Sequence, residues 1–117
     1  MKILFILNDA PYGSEKAYNA LRLAMVLQKE QPQIEIHIFL VADSVTALLP
    51  VQSTPQGYYN IERMLKAIIL KGGQVKACGT CSEARGIKNL PLLEGIEIST
   101  MSQLAQWTVE SDKVLVF

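Results

Sequence analysis

The chain has 117 residues, half of them apolar, and a mean hydropathy of +0.21. That is one domain's worth of sequence, 1–117, with enough apolar material to bury a core without disulfide or metal staples. Eleven basic residues balance eleven acidic ones, which argues against direct nucleic-acid binding or attachment to an anionic membrane, and no apolar run is long enough to cross a bilayer.

The first stretch, "KILFILN", is a continuous apolar run, the pattern of a strand buried on both faces. Its single lysine and short apolar core only faintly imitate a signal peptide, so the cytosol is the expected compartment. "DAPYG" breaks the strand, and a helix is expected from Ser14, as N-cap, to about Gln31 before Pro32. Glu15, Arg22 and Lys29 recur every seven positions as a solvated stripe. Ala17, Ala20, Leu21, Leu23, Ala24 and Leu27 form a wide apolar face, broad enough to meet the sheet and a second subunit. "IEIHIFLVA" is a second strand, followed by a short helix that Asp43 is placed to cap and Pro50 to end. After a polar loop, "YYNIERMLKAIILK" reads as a helix with Ile61, Met64, Leu65 and Ile68 on one face, closed by Gly72-Gly73.

"QVKAC" and "GIEIS" are the third and fourth strands. Thr100 and Gln103 have capping-box spacing for a last helix, and "KVLVF" is a final strand. In that helix Met101, Leu104, Ala105 and Thr108 share one face, and Trp107 lies well off it. The indole is therefore expected in a subunit contact, the alternative being a ring folded against its own chain. Strands alternating with helices imply an α/β domain with a mainly parallel sheet.

Ligands of such sheets collect beyond the carboxyl ends of the strands. The loops leaving those ends bring Asn8, Asp9, Tyr12, Ser14, Asp43 and Cys78 to one edge. "NDAPYGS" is neither a dinucleotide fingerprint nor a phosphate-binding loop, and no cofactor is expected. Each of these residues also has a plain structural reading: Asn8 and Asp9 as turn formers, Ser14 and Asp43 as caps, Arg85 as a solvated charge.

Both cysteines, Cys78 and Cys81, lie in "VKACGTCSEARGI". A structural zinc needs four ligands, and His37, the single histidine, sits mid-strand as a satisfied core residue; no metal is expected. A thioredoxin-like motif wants a helix directly after the first cysteine, and Gly79 and Gly86 make a long one doubtful. Two readings stay open. Both thiols are small buried hydrophobes, or one is a reactive thiolate supported by Arg85 or by helix-start amides near Ser82. A thiolate attacks sulfane sulfur, so persulfide formation is feasible chemistry.

"DAPYGSEKAYNALRLA", "KACGTCSEARGI" and "LPLLEGIEISTMSQLAQW" resemble the DsrE/DsrF-like proteins, most closely the YchN-like group, along essentially the whole chain. The resemblance implies a three-layer α/β/α sandwich on a five-stranded sheet, assembling with itself as a dimer, trimer or hexamer. It also implies persulfide sulfur carried on a cysteine after the third strand, ahead of an Arg-Gly, and passed to or from a sulfur-donor or acceptor protein. Cys78 matches that position, with Arg85 and Gly86 following. On this reading Cys78 is the nucleophile, Cys81 the resolving thiol and Arg85 an anion stabiliser. Asn8, Asp9, Tyr12, Ser14 and Asp43 shape the pocket. The alternative is a non-catalytic oligomeric module whose edge pocket holds a small ligand or partner.

Overall fold

A computed structural model describes residues 1–117. Five strands, β1 (Lys2–Leu7), β2 (Glu35–Leu40), β3 (Gln74–Cys78), β4 (Ile96–Ser99) and β5 (Lys113–Val116), form one sheet in the order β4-β3-β2-β1-β5, and every pairing is parallel. The register sets Phe5 beside Ile38 and Ile38 beside Val75, so the buried aliphatic residues line up across strands. Helices α1 (Lys16–Glu30), α2 (Ile61–Leu70), α3 (Gly79–Ala84) and α4 (Met101–Glu110), with a 3₁₀ helix over Ala42–Leu48, make the connections. Right-handed crossovers carry the chain from β1 through β2 and β3 to β4 in one direction, which puts α1 and α2 on one face. The return to β5 reverses direction and puts α4 on the other. No helix is long and apolar enough to cross a membrane.

α1 buries Ala17, Ala20, Leu21 and Ala24, an i, i+3, i+4, i+7 stripe whose alanines let the helix lie close to the sheet. Leu23 of the wide apolar face remains exposed, as does Val26 beside it. The expected cap is corrected: Ser14 stands one residue too early. Glu15 takes the cap position without a side-chain bond, while the Ser14 hydroxyl accepts the Lys16 amide at 3.4 Å. Asp43 does not cap the 3₁₀ helix either; it lies in the first turn, after Val41. Tyr58 and Tyr59 precede α2 instead of opening it, because Asn60 takes the cap and its side chain accepts the Arg63 amide at 3.0 Å. Gly72, at φ +94°, closes α2 in the left-handed region open to glycine, and Gly73 has no room for a Cβ, which would fall 2.5 Å from Ile68 Cγ2. Thr100 caps α4 by accepting the Gln103 amide at 3.2 Å.

The expectation for Trp107 is overturned. The indole is buried within its own chain, 4.3 Å from the His37 ring and edge-on to Phe39, with Lys76 Nζ 4.9 Å above it. α4 rests on the sheet through Leu104 and Trp107, an i, i+3 pair, and leaves Met101 exposed. His37 is buried as expected but not satisfied: its Nδ1 has no hydrogen-bond partner.

Burial first, and then the nearby Lys2 charge, push the His37 pKa below its ordinary 6.5. The neutral ring is the form the fold prefers. Its contribution is therefore complete above 6.5 and is lost as pH falls through that value toward the lowered folded-state pKa. The denaturation midpoint should fall as pH drops below 6.5, and His37→Phe, which keeps the stacking surface without the titration, should flatten that slope.

Candidate functional site

Because the strands are parallel, the loops after β1, β2 and β3 open on one edge. Asn8 continues β1 by one residue: its amide and its Nδ2 both donate to Phe117 O, at 2.9 and 3.3 Å. The chain then turns through Asp9, whose Oδ2 accepts the Ser14 hydroxyl at 2.8 Å and lies 4.0 Å from Lys16 Nζ. Asn8, Asp9, Tyr12, Ser14 and Asp43 come together around an open cavity of about 320 Å³ whose rim also includes Ala10 and Gly13. A hollow of about 610 Å³ opens near the start of β2, between Gln28, Lys29, Glu35 and Lys71. It contains no thiol, so size does not locate the cysteine chemistry.

Tyr12 is held at both ends of its side chain. Its ring stacks on Tyr59 with centroids 5.8 Å apart, and its hydroxyl donates to Gln52 Oε1 at 2.7 Å while accepting the Ile61 amide at 3.1 Å. Gln52, which the sequence gave no reason to single out, organises this corner. Its Oε1 also accepts the Glu62 amide, its Nε2 reaches the Ala47 and Leu49 carbonyls, and its own amide meets Glu62 Oε1 at 2.8 Å. The Lys66 ammonium and that Gln52 amide hold the Glu62 carboxyl below its usual pKa.

The cysteines lie along the same edge but do not line the cavity. β3 ends at Cys78 and α3 begins at once, so Gly79 starts a helix where a loop was expected. Crowding favours glycine there: a Cβ would fall 3.1 Å from Ile98 Cγ2 and 3.2 Å from Ser99 O, so its neighbours would have to give way. Cys78 caps this six-residue turn, its Sγ accepting the Cys81 amide at 3.3 Å and its carbonyl accepting the Ser82 hydroxyl at 2.8 Å. Cys78 is 5% exposed, and burial, followed by its hydrogen bond with the Cys81 sulfur, pushes its thiol pKa up. Cys81 is half-buried, and its Sγ accepts the Ala42 amide at 3.2 Å. The two thiols are unlinked.

Arg85 joins the cysteine turn to the cavity. Its Nε and one terminal nitrogen sit 3.0 and 2.9 Å from Asp43 Oδ1, and its other terminal nitrogen donates to Cys81 O at 3.1 Å. Its described hydrogen bonds go to oxygens and none to either sulfur. No three of the histidine, cysteine and carboxylate side chains converge as a metal site.

The DsrE/DsrF-like family model matches residues 1–117. The chain belongs to the DsrE/DsrF-like family. It is 47% identical to Protein YchN of Escherichia coli strain K12 over 116 residues, covering 99% of this chain and 98% of that one. An uncharacterized protein of Methanocaldococcus jannaschii is 41% identical over 117 residues, covering both chains fully. The crystal structure of the E. coli ychN protein superposes with a TM-score of 0.94 at 46% identity, covering 99% of this chain and 98% of that one. A protein of unknown function from Methanobacterium thermoautotrophicum shares the fold at 14% identity, with a TM-score of 0.80 and coverage of 99% and 98%. This DsrE-like chain thus carries its two cysteines on a family scaffold whose strand ends face one way.

Gln52→Ala would leave the Tyr12 hydroxyl without its acceptor and take a partner from the Glu62 amide and from two carbonyls. Equilibrium denaturation should show a loss of about 1–3 kcal/mol, the cost of orphaned polar groups.

Proposed function

We propose that this DsrE-like protein is a cytosolic sulfur carrier that holds sulfane sulfur as a persulfide on the Cys78/Cys81 pair. The observation that carries the reading is the pairing itself. Two reduced thiols one helical turn apart sit at the strand ends, each accepting a main-chain amide, at 3.3 and 3.2 Å. An amide donor favours the sulfur anion, and the anion is the form that takes sulfur from a donor. The resemblance to relay members of the family supports the same chemistry.

The Asp43–Arg85 ion pair links this turn to the cavity of Asn8, Asp9, Tyr12 and Ser14, which would receive the part of a donor or acceptor beyond its sulfur. The carrier works as a self-associated assembly, a dimer, trimer or hexamer, and exchanges sulfur with a donor or acceptor protein. Exposed Val109, Val114 and Val116 near the chain's end supply apolar surface for the self-contact.

One observation favours a second reading, the non-catalytic module: Cys78 is buried and its thiol is held protonated. The test is intact-mass spectrometry after incubation with a small persulfide donor. A gain of one sulfur atom per chain in the native protein, absent when both cysteines are serine, is the expected result. No gain in the native protein, with the assembly unchanged in the double variant, assigns the module instead.

A further inference from the structure

We infer that Cys81 is the sulfur that attacks first, with the main-chain amide of Ala42 as the donor that holds its charge and the Arg85–Asp43 pair as its positioning clamp. The inference deepens, and rests on, the sulfur-carrying reading. It exchanges the roles that the family resemblance implies for the two cysteines.

The argument begins with the direction of amides along β2. Amides of a strand alternate between its two neighbours. The Val41 amide still pairs with Leu7 O of β1, at 2.9 Å. The next amide, that of Ala42, faces the β3 side, where the strand has already ended at Cys78 and turned into α3. The last β3 carbonyl, that of Cys78, accepts the Ser82 hydroxyl at 2.8 Å instead. The Cys81 sulfur accepts the Ala42 amide in its place, at 3.2 Å. Ala42 has φ +51°, a left-handed conformation that is unfavourable for a non-glycine residue. Such outliers persist where surrounding contacts over-determine them, and they concentrate at functional sites. Here those contacts include a thiol.

The second part is access. Cys78 is 5% exposed, whereas Cys81 is half-buried, so an incoming donor reaches Cys81 first. Burial first, and then its neighbour Cys81, raise the Cys78 pKa, so the less exposed thiol is also the one that keeps its proton. The more exposed sulfur, Cys81 Sγ, is thus also the one that accepts the Ala42 amide, at 3.2 Å.

The third part is position. Arg85, at the end of α3, bonds Cys81 O and pairs with Asp43, the residue after Ala42. It thereby pins the turn carrying the sulfur to the turn carrying the amide. The charged and titratable groups around the Cys81 thiol are thus Cys78 from β3, Asp43 from the 3₁₀ helix and Arg85 from the end of its own helix.

The step balances without an external oxidant. Cys81 releases its proton to solvent, and the thiolate attacks the terminal sulfur of a hydropersulfide, R–S–SH. The new Cys81 S–S bond forms as the donor's S–S bond breaks. The departing thiolate takes up a proton and leaves as R–SH. One sulfane sulfur has moved and no electrons have been gained or lost overall.

The test uses the full chain with Cys78→Ser and Cys81→Ser made singly. Iodoacetamide alkylation is followed against pH, and intact mass is followed with a small hydropersulfide. Cys78→Ser should alkylate near the native rate at neutral pH and gain one sulfur. Cys81→Ser should alkylate at least about tenfold more slowly, as a less ionised thiol does. The reverse ranking overturns the inference. In amide proton–nitrogen spectra, the Ala42 signal should titrate in the native chain and in Cys78→Ser and stay flat in Cys81→Ser. An Ala42 signal that titrates without Cys81, or stays flat in the native chain, also overturns it. Alkylation and amide shifts need no sulfur donor. The expected ranking without any mass gain would therefore sink the carrier reading while leaving the order of reactivity standing.

Discussion

The parallel sense of all five strands is the constraint on which the rest depends. A parallel ladder sends every carboxyl end to one side, so segments distant in sequence meet without needing any attraction of their own. Asn8, Asp43 and Cys78 become neighbours because Leu7, Leu40 and Ala77 share one register across β1, β2 and β3. Burial of those strands, with Leu4, Phe5, Ile38, Phe39 and Leu40 fully enclosed, makes that register hard to slip. Polar residues at the rim are then free to be chosen for chemistry, since the fold does not rely on them.

The rim is built where β2 and β3 end level with each other, Leu40 opposite Ala77. β3 stops at Cys78, opposite Val41, whose amide still bonds Leu7 O, and the next amide, that of Ala42, is left without a strand partner. The α3 turn covers that gap with a sulfur. Crowding at Gly79 keeps the turn pressed against the end of β4, and the Asp43–Arg85 pair ties its other end to the 3₁₀ helix. The ion pair is partly exposed and adds little to stability on its own; its part is geometric.

The strands were legible because each is a short apolar run bounded by Pro, Gly or Asp, and α1 because its alanines and leucines repeat at helical spacing. The family was legible in the "CGTCSEARG" stretch and its neighbours, and the model match over the whole chain agrees. Trp107 was misread because the face of α4 was assigned from Met101, Leu104, Ala105 and Thr108, of which only Leu104 points in, and its inward partner is Trp107. The Ser14 and Asp43 caps were off by one and two residues, the usual spread of a helix end. Gln52 was invisible because a lone glutamine in a loop has no pattern; its importance comes from four elements that meet only in three dimensions. The Ala42 conformation was invisible for a related reason. An alanine at positive φ leaves no mark in sequence, where a glycine would have drawn notice.

The two outermost strands, β4 and β5, are each only four residues long. Their free sides carry backbone groups able to template a further strand, but over a very short span, with Glu97 on one and Lys113 on the other. Short charged borders discourage one sheet from extending into the next. The sheet is thus closed to growth at both borders, and lengthening the ladder into a fibre is disfavoured.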